Sequence, residues 1–155
     1  MPFPTVGPVR LLHTADWHVG KSLKGVSRLD EQEQVLREIV RITREQEVDA
    51  VLVAGDLYDS AAPSAAAQRL VVRTLTALAG TRAEVVVIAG NHDHAATLDA
   101  YAPFARAAGI TMVGAPRTAA SGGVVEFTAR SGEKATVSAR KPSTSRRRAG
   151  AWSSG

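Results

Sequence analysis

Three apolar runs in this chain each pass without a break into a polar cluster. Val9-Arg10-Leu11-Leu12-His13-Thr14-Ala15 leads into Asp16-Trp17-His18, and Ala50-Val51-Leu52-Val53-Ala54 into Gly55-Asp56-Leu57-Tyr58-Asp59. Val85-Val86-Val87-Ile88-Ala89 leads into Gly90-Asn91-His92-Asp93-His94. Short, β-branched runs of this kind are the pattern of parallel strands covered on both faces. Their polar residues then fall at the strands' carboxyl ends, where open α/β sheets place ligands. Between the runs the period changes to that of helices. Residues 27–46 carry a stripe of Leu29, Val35, Leu36, Ile39, Val40 and Ile42, opened by Ser27 with Asp30 at capping-box spacing. After Pro63, residues 64–79 turn Leu70, Val71, Leu75 and Leu78 inward, and Gly80 is placed to stop the helix. A shorter helix is predicted over 97–108, a strand over 111–113, and a hairpin from 124–129 and 135–139 around Ser131-Gly132. The alternation predicts an α/β fold with a largely parallel sheet flanked by helices.

Beyond residue 139 the pattern is lost. Residues 140–155 contain Arg140, Lys141, Arg146, Arg147 and Arg148, no acidic group and almost no large apolar side chain. A segment of that composition cannot bury enough surface to offset its ordering entropy, so a disordered basic tail is expected. The tail also explains the net charge of +4: residues 1–139 hold 14 basic against 15 acidic groups. Overall basicity is therefore no evidence for a nucleic-acid-binding surface on the folded part. At 155 residues there is material for one domain. No apolar run reaches the ~20 residues of a membrane span, and the opening residues lack a leader layout. With no cysteine there is no disulfide framework, and a cytoplasmic location without membrane contact is expected.

Aspartate, histidine and asparagine delivered to one sheet edge suit a divalent metal site. Carboxylate, amide oxygen and imidazole are ligands for manganese, iron or zinc, and a carboxylate can bridge two ions. Paired ions clamp the attacking and leaving oxygens of a phosphoryl transfer. Each cluster alone reads equally as a turn or a cap; their joint occurrence, each directly after an apolar strand, favours phosphate ester hydrolysis.

Asp16-x-His18, Gly55-Asp56-x-x-Asp59 and Gly90-Asn91-His92-Asp93 resemble the first three motifs of the calcineurin-like metallophosphoesterases. The contexts His13-Thr14-Ala15-Asp16-Trp17-His18-Val19-Gly20 and Ala54-Gly55-Asp56-Leu57-Tyr58-Asp59 are most similar to the Mre-type repair nuclease branch. The resemblance spans about residues 9–139 and implies half of a four-layer sandwich. It implies two divalent ions, manganese foremost, with Asp16 and His18 on the first, Asp56 bridging and Asn91 on the second. His92 would be the catalytic histidine acting on the scissile phosphate, with Asp93 as its orienting neighbour and Asp59 standing behind the ligands. The implied activity is DNA exonuclease and endonuclease cleavage in repair, recombination and replication. The implied partners are DNA, an ATPase subunit and a second nuclease subunit.

The sequence also departs from that pattern. The family continues with a further histidine and then Gly-His-x-His, whereas the four histidines here are His13, His18, His92 and His94. His94 reads as a loop residue and His13 as a core or supporting residue. The sharp change at residue 140 is what a shifted reading frame or a truncation would produce. The domain expectation is thus an N-terminal part of the nuclease domain over 1–139 with a tail over 140–155. Such a chain would bind metal weakly, cut slowly or not at all, and expose apolar sheet surface. The alternatives are another metallophosphoesterase, a phosphatase or phosphodiesterase, and a non-catalytic fragment.

Overall fold

The computed structural model describes residues 7–115 and 117–138. Along the chain run β1 (Leu11–Thr14), a small ribbon of β2 (Ser22–Leu23) and β3 (Val26–Ser27), α1 (Leu29–Glu45), β4 (Ala50–Ala54) and α2 (Ala65–Ala79). Then follow β5 (Glu84–Ile88), α3 (Ala95–Ala107), β6 (Ile110–Val113), and a hairpin of β7 (Val124–Thr128) and β8 (Lys134–Ser138). β1, β4, β5 and β6 form one parallel sheet in that order. The α/β class and parallel sheet match the sequence pattern. The expected tail over 140–155 lies outside the described residues.

The two central strands carry the core. Val51 and Val53 of β4 and Val85, Val86 and Val87 of β5 are buried, as doubly covered strands require. β1 differs: it is an edge strand among the described residues, Leu11 is 53% exposed, and His13 faces the same exposed side. The expectation of a core or supporting His13 is therefore not met.

Helix α1 starts later than its sequence suggests. Ser27 belongs to β3, the N-cap is Arg28 without a side-chain cap bond, and the Ser27 hydroxyl only accepts from the Leu29 N–H. The inward stripe runs through Leu29, Leu36, Ile39, Val40 and Thr43; Val35, one step off it, is 61% exposed. Thr43 is buried because its hydroxyl donates back to the Ile39 carbonyl at 2.8 Å, which satisfies it locally. Helix α2 agrees closely: Ser64 caps it by accepting from the Ala67 N–H, and Leu70, Val71, Leu75 and Leu78 are buried. Its end does not use a left-handed glycine. Gly80 has φ −67°, Thr81 donates to the Leu78 carbonyl, and the left-handed turn comes at Arg82 with φ 72°. No helix of the described residues is long and apolar enough to cross a membrane.

Candidate metal centre

All three polar clusters lie at the carboxyl ends of β1, β4 and β5. Past the end of β1 the chain continues alongside the loop after β4. Asp16 N–H donates to the Gly55 carbonyl at 3.2 Å, His18 to Asp56 at 2.9 Å and Val19 to Leu57 at 2.9 Å. This ladder extends the parallel pairing by a few residues and sets His18 beside Asp56. Gln32 on α1 steadies it, its amide donating to the His18 carbonyl at 2.8 Å and accepting from Gly20 N–H at 3.0 Å.

The β4 and β5 loops are drawn together more tightly still. Asp56 Oδ1 accepts the His92 N–H at 2.9 Å. Asp93, 8% exposed, returns the interaction: Oδ2 accepts from Leu57 N–H at 3.1 Å and Gly90 N–H at 2.9 Å, and Oδ1 from Tyr58 N–H at 3.2 Å. Such proximity demands glycine. A Cβ on Gly90 would sit 2.0 Å from Asp56 Oδ1, and one on Gly55 2.9 Å from the Gly90 Cα. Asp16, His18 and Asp56 all hold positive φ, 53°, 44° and 48°. For residues with a Cβ this conformation costs about 1–2 kcal/mol each, which the surrounding hydrogen bonds must offset.

His18, Asp56 and His92 each offer a ligand atom, all within 4.8 Å of one another. The two imidazoles meet edge to face, centroids 5.0 Å apart. His18 Nε2 is 3.8 Å from Asp56 Oδ2, and Nδ1 is 3.4 Å from Asp59 Oδ1. The Nδ1 approach is close enough for ion pairing but not aligned for a hydrogen bond. Among the described residues it is the one buried side-chain polar atom left without a hydrogen-bond partner. A shared point surrounded by two imidazoles and a carboxylate fits a divalent cation; the unpartnered Nδ1 lies on the His18 edge that faces Asp59, and Nε2 on the edge that faces Asp56.

Of the sequence-predicted residues, the structure thus gathers His18, Asp56 and His92, with Asp59 behind His18. Asp16 stands at the same edge but outside the grouping; it is exposed and lines an adjacent cavity of about 310 Å³ with Trp17, Lys21 and Arg28. Asn91 is exposed on the same loop as His92. His94 caps α3, its ring accepting from the Thr97 N–H at 3.3 Å, so this loop residue has a defined structural duty. Burial, then Asp93 and Tyr101, push the Tyr58 phenol up to about 12, so it stays a neutral donor. Neither the backbone role of Asp93 nor the steric role of Gly90 is visible in the residue pattern. A glycine directly before Asn-His-Asp is the only hint of them. On the far side of Asp93, an apolar groove of about 610 Å³ opens between α2 and α3, with Val72, Tyr101 and Phe104 exposed around it.

A family model described as calcineurin-like phosphoesterase matches residues 9–133. The D subunit of the nuclease SbcCD from Bacillus subtilis (strain 168) is 45% identical over 111 residues, 71% of this chain and 28% of that protein. The corresponding D subunit from Rhodobacter capsulatus is 42% identical over 108 residues, 68% of this chain and 27% of that protein. The one from Escherichia coli (strain K12) is 40% identical over 91 residues, 59% of this chain and 23% of that protein. The chain spans about a quarter of the length of these relatives.

Proposed function

The chain belongs to the calcineurin-like phosphoesterase family, and from that premise we propose that it is the N-terminal part, over residues 1–139, of a metal-dependent DNA nuclease subunit. The observation that carries this reading is the convergence of His18, Asp56 and His92 at the ends of three parallel strands. The names of the relatives point to nuclease chemistry within an SbcCD complex. In this reading the substrate is DNA, the partner is an SbcC-type ATPase subunit, and the work is repair, recombination and replication.

In this reading Asp16, His18 and Asp56 would hold one divalent ion, and Asp56 and Asn91 a second, manganese being the foremost candidate. Ions bound there would neutralise phosphate oxygens and lower the pKa of a water to make it a nucleophile. The protein's own part is positioning and proton transfer. In this reading His92, exposed at the rim with its N–H bonded to Asp56, contacts the scissile phosphate and protonates the leaving oxygen. Asp59 Oδ1, 3.4 Å from His18 Nδ1, stands behind the ring on the edge away from the nitrogen that faces Asp56. Pairing with a second copy is supported by the exposed Val72, Tyr101 and Phe104 beside the apolar groove.

The test is incubation of this chain with end-labelled DNA and manganese, alongside calorimetric titration of the metal. Manganese-dependent cleavage that disappears in Asp56→Ala supports the reading. Cleavage that persists in Asp56→Ala or in a chelator overturns it, as does the absence of any metal uptake.

A further inference from the structure

The proposed metal site raises the question of what holds Asp56 in place. Asp56 adopts φ 48° and uses Oδ1 on the His92 N–H, which leaves Oδ2 facing His18. A backbone in that conformation relaxes unless the residues after it are fixed, and those residues are Leu57 and Tyr58. Both of their N–H groups end on one side chain, the Asp93 carboxylate, which also takes the Gly90 N–H. We propose that Asp93 is the positioning residue of this site: by gathering the N–H groups of Leu57, Tyr58 and Gly90 it holds Asp56 in its left-handed conformation, with Oδ2 free for an ion.

This role rests on the metal reading above but gives Asp93 a different task from orienting His92. Three of the roughly four lone-pair positions of its carboxylate are spent on backbone donors. The connection to His92 runs through Asp56, which accepts the His92 N–H. The two aspartates therefore brace each other's loops crosswise. Weakening Asp93 disturbs Asp56 first and His92 through it.

Asp93→Asn replaces one acceptor oxygen with a donor that opposes a backbone N–H. Groups that orient metal ligands in this way are worth about 10–100-fold in metal affinity. Manganese binding to the intact chain, followed by the loss of the free Mn(II) electron paramagnetic resonance signal, is expected to weaken at least about tenfold in Asp93→Asn. Leu78→Ala, a cavity in the buried face of α2 remote from the loops, serves as a destabilised control and should retain unsubstituted affinity. Unchanged affinity in Asp93→Asn, or equal weakening in both variants, overturns the proposal. Absence of binding by the unsubstituted chain overturns the metal reading itself, a distinct result. Should Asp93→Asn not fold, hydrogen exchange on the unsubstituted chain decides. Leu57, Tyr58 and Gly90 amides that exchange far more slowly than the Lys24 amide at the ribbon tip support the brace, and exchange at the same rate overturns it.

Discussion

At its amino end the sheet is fastened by Asp49, and beyond its carboxyl end the loops are fastened by Asp93; each is 8% exposed and each accepts backbone N–H groups from separate segments. Asp49 takes Arg10 N–H at 2.8 Å and Arg130 N–H at 2.8 Å, tying the entry to β1 and the β7–β8 turn to the foot of β4. Positive φ does not tell the two ends apart, since Glu47 and Arg82 at the amino end have it too. What differs is what remains unsatisfied. At the amino end Arg130 pairs with Glu47 and the Thr81 carbonyl, and among the described residues no buried side-chain polar atom there lacks a partner. At the carboxyl end His18, Asp56 and His92 converge and one buried nitrogen is left over. Burial and hydrogen bonding mark a structural carboxylate; the unspent ligand atoms beside it mark a site.

Four substitutions test that contrast. Asp56→Ala should have the largest effect, removing manganese binding in calorimetry and any metal-dependent DNA cleavage while circular dichroism keeps the α/β signature. His92→Ala should lower turnover by about 10²–10⁴-fold, the worth of a general acid, with manganese still bound through His18 and Asp56; loss of the metal as well would make His92 a ligand. Gly90→Ala forces a methyl into Asp56, so denaturant unfolding should show about 1–3 kcal/mol of overpacking, together with weaker metal binding. Asp49→Asn should have the smallest effect and spare the metal site. Burial opposes ionisation of Asp49, but the N–H groups of Arg10 and Arg130, with their guanidinium charges, outweigh it and hold the carboxyl below its ordinary 3.8. A lowered folded-state pKa contributes stability that is present above the ordinary value and lost as pH falls through the folded one. The thermal stability of the unsubstituted chain should therefore fall more steeply than that of Asp49→Asn as pH drops below about 5 and through the folded-state pKa.

The residues that could be read from the sequence are those whose role follows from periodicity or type. Val51, Val53 and Val85–Val87 announce buried strands, and Leu70, Val71, Leu75 and Leu78 announce one helix face. Asp56, His18 and His92 stand out as ligating residue types directly after strands. Residues whose role depends on a partner distant in the chain stayed hidden. Asp93 braces a loop that precedes it by 35 residues or more, Asp49 meets Arg130 across 81, and Val35 misses the core by one step of a helix whose exact phase is set by packing. The β2–β3 ribbon went unseen because two residues per strand leave no alternation to count, although Lys24 and Gly25, both with positive φ, form its turn.

The sheet order β1-β4-β5-β6 also bears on how this chain is made. Each sheet strand pairs with the one synthesised before it, so every addition during translation finds its neighbour already waiting, with no later segment to be threaded between two earlier ones. His18, Asp56, His92 and Asp93 all arrive by the third of these strands. The loops that carry them can therefore meet before β6 and the β7–β8 hairpin have emerged from the ribosome.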